Sequence, residues 1–182
     1  MLAVPASILR HDAYRLGALS LLGAIAVIGA ALAFQYLGGL EPCALCLTER
    51  YAYYAGIPVL FATLVALAAG YNRWAVLGFC LVALAFLANA LLGGYHAGAE
   101  WGFWPGPTTC SGALKPLGSP ADLLRGGASV SVIRCDQASW WFLGLSFAGW
   151  NAVTSMSLCI TLFLAGRVVM RDATTRDTNL FI

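Results

Sequence analysis

Four long apolar runs dominate the chain, at residues 16–37, 46–69, 74–95 and 147–170. A helix rises about 1.5 Å per residue and needs about 20 residues to cross a hydrocarbon core of about 30 Å, so each run is long enough to span. Lipid offers no partners to backbone N–H and C=O groups, and such runs fold as helices that satisfy their own hydrogen bonds. With 182 residues, 60% of them hydrophobic and 10% charged, the chain is too apolar for a soluble domain of its size. The expectation is an all-α membrane protein, a four-transmembrane-helix bundle forming a single integral domain over residues 1–182. A net charge of +2, spread over scattered basic residues, leaves no footprint for nucleic acid.

The connections are unequal. Gly38-Gly39 opens a short loop over 38–46, and Gly70-Tyr71-Asn72-Arg73 is a turn so tight that the second and third spans must be antiparallel neighbours. One long loop, residues 97–146, separates the third span from the fourth. The first run could be a secretory signal cleaved after Ala31-Leu32-Ala33, but it exceeds the usual h-region of about 7–15 residues, and a retained anchor is expected. Arg10, Arg15, Arg73, Arg167, Arg171 and Arg176 fall on one side of the membrane. Arg50, Lys115, Arg125 and Arg134 fall on the other, three of them in the long loop where charge matters less. Both termini, including the tail 171–182, are therefore expected in the cytoplasm.

Several side chains stand out against this background. Pro58 inside the second span predicts a kink or local loosening. Tyr51, Tyr53 and Tyr54 read as an aromatic belt at headgroup level, and Gln35 as an interfacial hydrogen-bonding residue. Asn89 within the third span and His96 just past its end are polar groups at membrane depth, which marks them as functional candidates. In the long loop, the aromatic and turn-rich stretch Trp101 to Pro107 suggests a segment resting on the interface. Ser119-Pro120-Ala121-Asp122 has the form of a capped start to a short surface helix.

The chemistry concentrates in Glu41-Pro42-Cys43-Ala44-Leu45-Cys46-Leu47-Thr48-Glu49-Arg50. Thiols three residues apart at a helix start share a face and can close into a small disulfide ring, and the helix N-terminus favours thiolate over thiol. Arg50 lies one turn beyond Cys46 and can bring its cation to the same place. Of the six cysteines, Cys43, Cys46, Cys110 and Cys135 fall on the outer side, where disulfides persist, whereas Cys80 and Cys159 sit inside spans as packing residues. One anchored pair and two cysteines on a long loop suit a relay of thiol–disulfide exchange. A structural zinc site would call for a second ligand pair of similar spacing, which the sequence lacks, so no metal is expected. A non-catalytic membrane protein with static cysteines or zinc stays open as an alternative.

These residues also resemble a family. Phe34-Gln35-Tyr36, the stretch Pro42 to Arg50, His96, and Cys135-Asp136 ahead of Trp141-Phe142-Leu143-Gly144-Leu145 are similar to the disulfide bond formation protein B (DsbB) family over nearly the whole chain. The resemblance implies a quinone-dependent thiol oxidase of the bacterial inner membrane, with the long loop on the periplasmic side. Cys110 and Cys135 would accept electrons from a DsbA-like thioredoxin-fold oxidant, and Cys43 and Cys46 would pass them to ubiquinone or menaquinone. Arg50 and His96 would border the quinone, and Glu49 would be structural. The segment between His96 and Cys110 departs from the familiar pattern. A quinone-linked oxidoreductase of the vitamin K epoxide reductase type is the enzymatic alternative, but its Cys-x-x-Cys lies near the last helix of its bundle rather than at the start of the second.

Overall fold

The apolar runs emerge as four helices in the computed structural model, which describes residues 6–106 and 134–179. They are α1 (Ala6–Tyr36), α2 (Ala44–Ala68), α3 (Asn72–Glu100) and α4 (Phe147–Asn179). Each is long and apolar enough to cross a membrane. Even α2, at 25 residues, measures about 37 Å, more than the hydrocarbon core. The chain is a four-span helical bundle.

The helices outrun the apolar segments that announce them. α1 begins well before residue 16, α3 continues past residue 95 to Glu100, and α4 continues past residue 170. Once a helix is nucleated, each added residue gains a backbone hydrogen bond whether or not lipid surrounds it. His96 is thereby placed inside α3 rather than beyond its end, and the connecting loop starts at Trp101 rather than at residue 97. α2 runs unbroken through Pro58.

The bundle interior is filled by Leu60 and Leu67 from α2, Phe79 and Phe86 from α3 and Leu162 from α4, all fully buried. Leu19, Leu22, Leu77, Leu81, Leu84, Leu91, Ile160 and Phe163 point outward and form an exposed apolar surface of the kind that faces lipid. α3 and α4 share the most extensive interface. Gly93 permits it: a Cβ there would stand 3.0 Å from the Ala152 backbone N and 3.1 Å from the Ala148 carbonyl. Small residues at such crossings let helix backbones meet, which is how helices gain packing inside a bilayer.

After α3 the chain folds back on itself. Trp104 stacks on Tyr95 with ring centroids 5.7 Å apart and donates its indole N–H to the Tyr95 carbonyl at 3.0 Å. Before α4, a minimal antiparallel hairpin pairs β1 (Trp141–Phe142) with β2 (Leu145–Ser146). Its turn residues Leu143 and Gly144 both take positive φ, 51° and 79°, as a two-residue turn matched to strand twist requires. Lys115, Arg125 and the Ser119-Pro120-Ala121-Asp122 start lie outside the described residues.

Candidate active site: a dithiol beside an apolar chamber

Up-and-down connectivity brings the end of α1, the start of α2, the end of α3 and the start of α4 to one end of the bundle, where Cys43, Cys46, Arg50 and His96 lie, while Asn89 sits deeper in α3. Cys43 is the N-cap of α2, with an extended backbone and a sulfur that accepts the Cys46 N–H at 3.2 Å. Pro42 therefore precedes the cap, where its missing N–H leaves no donor unpaired. The Cys43 and Cys46 sulfurs are 3.0 Å apart and both thiols are free. The hydrogen bond with Cys46, and after it those with His96 and the Cys46 N–H, outweigh burial and hold the Cys43 thiol far below the ordinary range, at about 4.

His96 joins this pair from α3. Its Nε2 lies 3.6 Å from the Cys43 sulfur and its Nδ1 2.7 Å from Glu49 Oε1, with the ring only 1% exposed. A carboxylate at Nδ1 takes one ring N–H, and Nε2 faces the sulfur, donating to a thiolate when the ring is protonated and accepting from a thiol when it is neutral. Glu49 is fixed in turn by Asn151 of α4, whose amide donates to Oε2 at 2.9 Å. The Tyr53 hydroxyl donates to Asn151 Oδ1 at 2.9 Å, and Asn89 donates to Ser155 Oγ at 2.9 Å, so the polar network descends into the bundle. Glu100, one turn past His96, places Oε1 3.9 Å from Nε2 and accepts a short hydrogen bond from Ser146.

Cys135 reaches the same place from the loop. It is disulfide-bonded, 1% exposed, and packed with Cys43 in a small cluster that includes Leu45 and Cys46. Arg134 and Asp136 on either side form a two-pronged surface ion pair at 2.5 and 2.8 Å, which holds the Asp136 carboxyl below its usual range. Cys110 lies outside the described residues.

Beside the thiols opens a chamber of about 350 Å³. Its walls are apolar, with Val27, Ile28, Ala31 and Phe34 from α1 facing Trp140, Phe147 and Trp150. Trp140 stacks on Phe147 with centroids 4.8 Å apart, and Phe34 meets the edge of Phe147 at 5.1 Å. Cys43, Cys46, Arg50 and His96 line its polar part, and Arg50 donates a short hydrogen bond to Gln35 of α1.

Tyr53, expected in the aromatic belt, is instead 2% exposed and points into the bundle. Only Tyr51 and Tyr54 face outward. The signal was available, because Tyr53 follows Glu49 by four residues and must share its face. Glu100, Asn151 and Ser155 join the site with no motif to announce them. Each is a polar residue in or at the edge of an apolar span, which is itself a reason to look.

A four-span membrane bundle that gathers a Cys-x-x-Cys pair and a disulfide-bonded loop cysteine at one end defines a class, the membrane thiol–disulfide proteins. The family model for disulfide bond formation protein DsbB matches residues 14–165. The disulfide bond formation protein B of Methylococcus capsulatus is 35% identical over 143 residues, covering 73% of this chain and 81% of the relative. That of Aromatoleum aromaticum is 32% identical over 153 residues, covering 79% and 83%. No solved structure matches the chain. The chain belongs to the DsbB family and is a disulfide-forming oxidoreductase of the membrane.

Proposed function

We propose that this protein reoxidises a DsbA-like, thioredoxin-fold oxidant in the periplasm and passes the electrons through Cys110 and Cys135, then Cys43 and Cys46, to ubiquinone or menaquinone. The observation that carries this reading is the packing of Cys135 against Cys43 at the polar end of the apolar chamber. When the Cys43–Cys46 disulfide is present, a loop thiolate attacks it, the sulfur–sulfur bond breaks, and a mixed disulfide forms as Cys46 leaves as thiolate. The second loop thiolate then displaces Cys43, so the loop pair closes and the α2 pair is left reduced. In this scheme Cys43 is the attacked sulfur, buried together with Cys135 at the centre of a cluster on which Cys46 packs from the side.

The chamber suits a quinone: its aromatic walls match a flat ring and an isoprenoid tail, and the Arg50 cation lines it beside the thiols. A quinone supplies an acceptor for two electrons and two protons. Arg50, oriented by Gln35, would hold negative charge developing beside Cys46. His96 would accept the proton that Cys43 gives up, with Glu49 stabilising the imidazolium. The charge asymmetry supports an inner-membrane protein with both termini cytoplasmic.

The test is quinone absorbance on mixing the purified protein with a reduced DsbA-like partner and a soluble ubiquinone analogue. Absorbance loss that requires the partner's thiols and vanishes in Cys46→Ser is expected. No turnover, with the quinone shown to partition into the detergent, would refute the reading.

A further inference from the structure

The Cys43 and Cys46 sulfurs and His96 Nε2 all lie within 4.8 Å of one another. These are three donors of the kind that bind zinc, drawn from two helices, and the third of them answers the absence of a second Cys-x-x-Cys in the sequence. In a tetrahedral site with bonds of about 2.3 Å to sulfur and about 2.0–2.1 Å to nitrogen, sulfur and nitrogen stand about 3.6 Å apart and two sulfurs about 3.8 Å apart. The Cys43 sulfur is already 3.6 Å from Nε2, and the sulfur pair at 3.0 Å has to open by less than 1 Å.

The surroundings suit a metal as well as the donors do. Glu49 at 2.7 Å from Nδ1 completes the carboxylate–histidine arrangement that orients a metal-binding imidazole and raises its basicity. Asn151 holds that carboxylate in place. Glu100 Oε1, 3.9 Å from Nε2, stands next to the remaining position, which it or water can take.

We propose that the reduced form of the protein binds one thiophilic divalent cation of the zinc class through Cys43, Cys46 and His96, and that oxidation of the dithiol abolishes the site. Binding turns both sulfurs into metal-bound thiolates, displaces the proton from a sulfur that still carries one, and leaves the oxidation state unchanged. A disulfide offers no thiolate, so the site exists in one redox state only. The binding does not depend on the quinone reading. Its consequence does: the bound ion occupies the sulfurs that must be reoxidised, so zinc would stall turnover after the first reduction.

The test uses the full-length chain carrying Cys110→Ser and Cys135→Ser, so that the loop contributes no thiols, and titrates it with cobalt(II), then zinc. The reduced protein, freed of reductant, should show thiolate-to-cobalt charge transfer and tetrahedral ligand-field bands that saturate at one ion per chain and are bleached by zinc. The oxidised protein should show neither. Glu49→Gln should weaken binding about 10- to 100-fold. His96→Cys should bind with stronger charge-transfer absorption, since a third thiolate replaces the imidazole. Equal binding by the oxidised protein, no cobalt spectrum from protein with both thiols free, or a His96→Cys spectrum no stronger than that of the parent would each overturn the proposal.

Discussion

At the scale of single residues, Cys43 owes its character to its position as the cap of α2. Its sulfur meets the Cys46 N–H, the Cys46 sulfur and His96 Nε2 at once, and these contacts favour the thiolate. With the Cys43 thiol at about 4, the reduced protein should be alkylated by iodoacetamide at Cys43 well below the value of about 8.5 of an unperturbed thiol. The peptide-resolved rate against pH gives the midpoint independently of how fast the reagent reaches the buried sulfur. Cys46→Ala removes the largest cause and should move that midpoint upward; an unchanged midpoint would assign the shift elsewhere. The same depression ties stability to pH. The contribution is fully present above the unfolded thiol's value and is lost as pH falls toward about 4.

At the scale of elements, the α3–α4 contact decides whether the site is assembled, because His96 and Glu100 ride on one helix and Asn151 and Ser155 on the other. Gly93 and its neighbour Gly94 provide a matched pair. A methyl group at Gly93 meets α4 backbone at 3.0–3.1 Å, whereas at Gly94 nothing lies within 4 Å. Alanine favours a helix over glycine by up to about 1 kcal/mol, so Gly94→Ala should hold or raise thermal stability in detergent. Gly93→Ala should lower stability by about 1–3 kcal/mol, since backbone atoms cannot move aside as a side chain can. Tryptophan fluorescence melts of the two variants would show opposite shifts, and equal shifts would mean that the helices do not meet at Gly93. Nothing in the sequence separates these two glycines. The four spans were legible because bilayer thickness imposes a length and lipid imposes apolarity. Cys43, Cys46 and Arg50 were legible because their relation is local to one helix start. The Glu49–His96–Asn151 chain was not, because its members belong to three helices and their rotation about the bundle axis is set by packing.

At the scale of the whole molecule, the proposed relay has two ends that should fail independently. In that relay the loop end would meet a protein partner and the chamber end a membrane quinone, and Cys43 lies between Cys135 and the chamber. Cys110→Ala should abolish quinone reduction driven by a DsbA-like partner while sparing reduction driven by a small dithiol that attacks the Cys43–Cys46 disulfide directly. Arg50→Met should do the reverse. It leaves exchange between partner and protein intact, and it slows quinone reduction by either donor about 10- to 100-fold, the equivalent of about 1.5–3 kcal/mol for a lost hydrogen bond to a charged group. Both can be read in one stopped-flow experiment with two donors, by following quinone absorbance and trapping thiols with a mass tag. The pattern matters more than either rate. If Cys110→Ala silenced both donors, the loop would be needed to hold the α2 pair in place rather than to carry electrons, since Cys135 packs against Cys43. If Arg50→Met slowed partner exchange as much as quinone reduction, the cation would act on the Cys43 and Cys46 thiolates themselves and not on charge developing in the chamber.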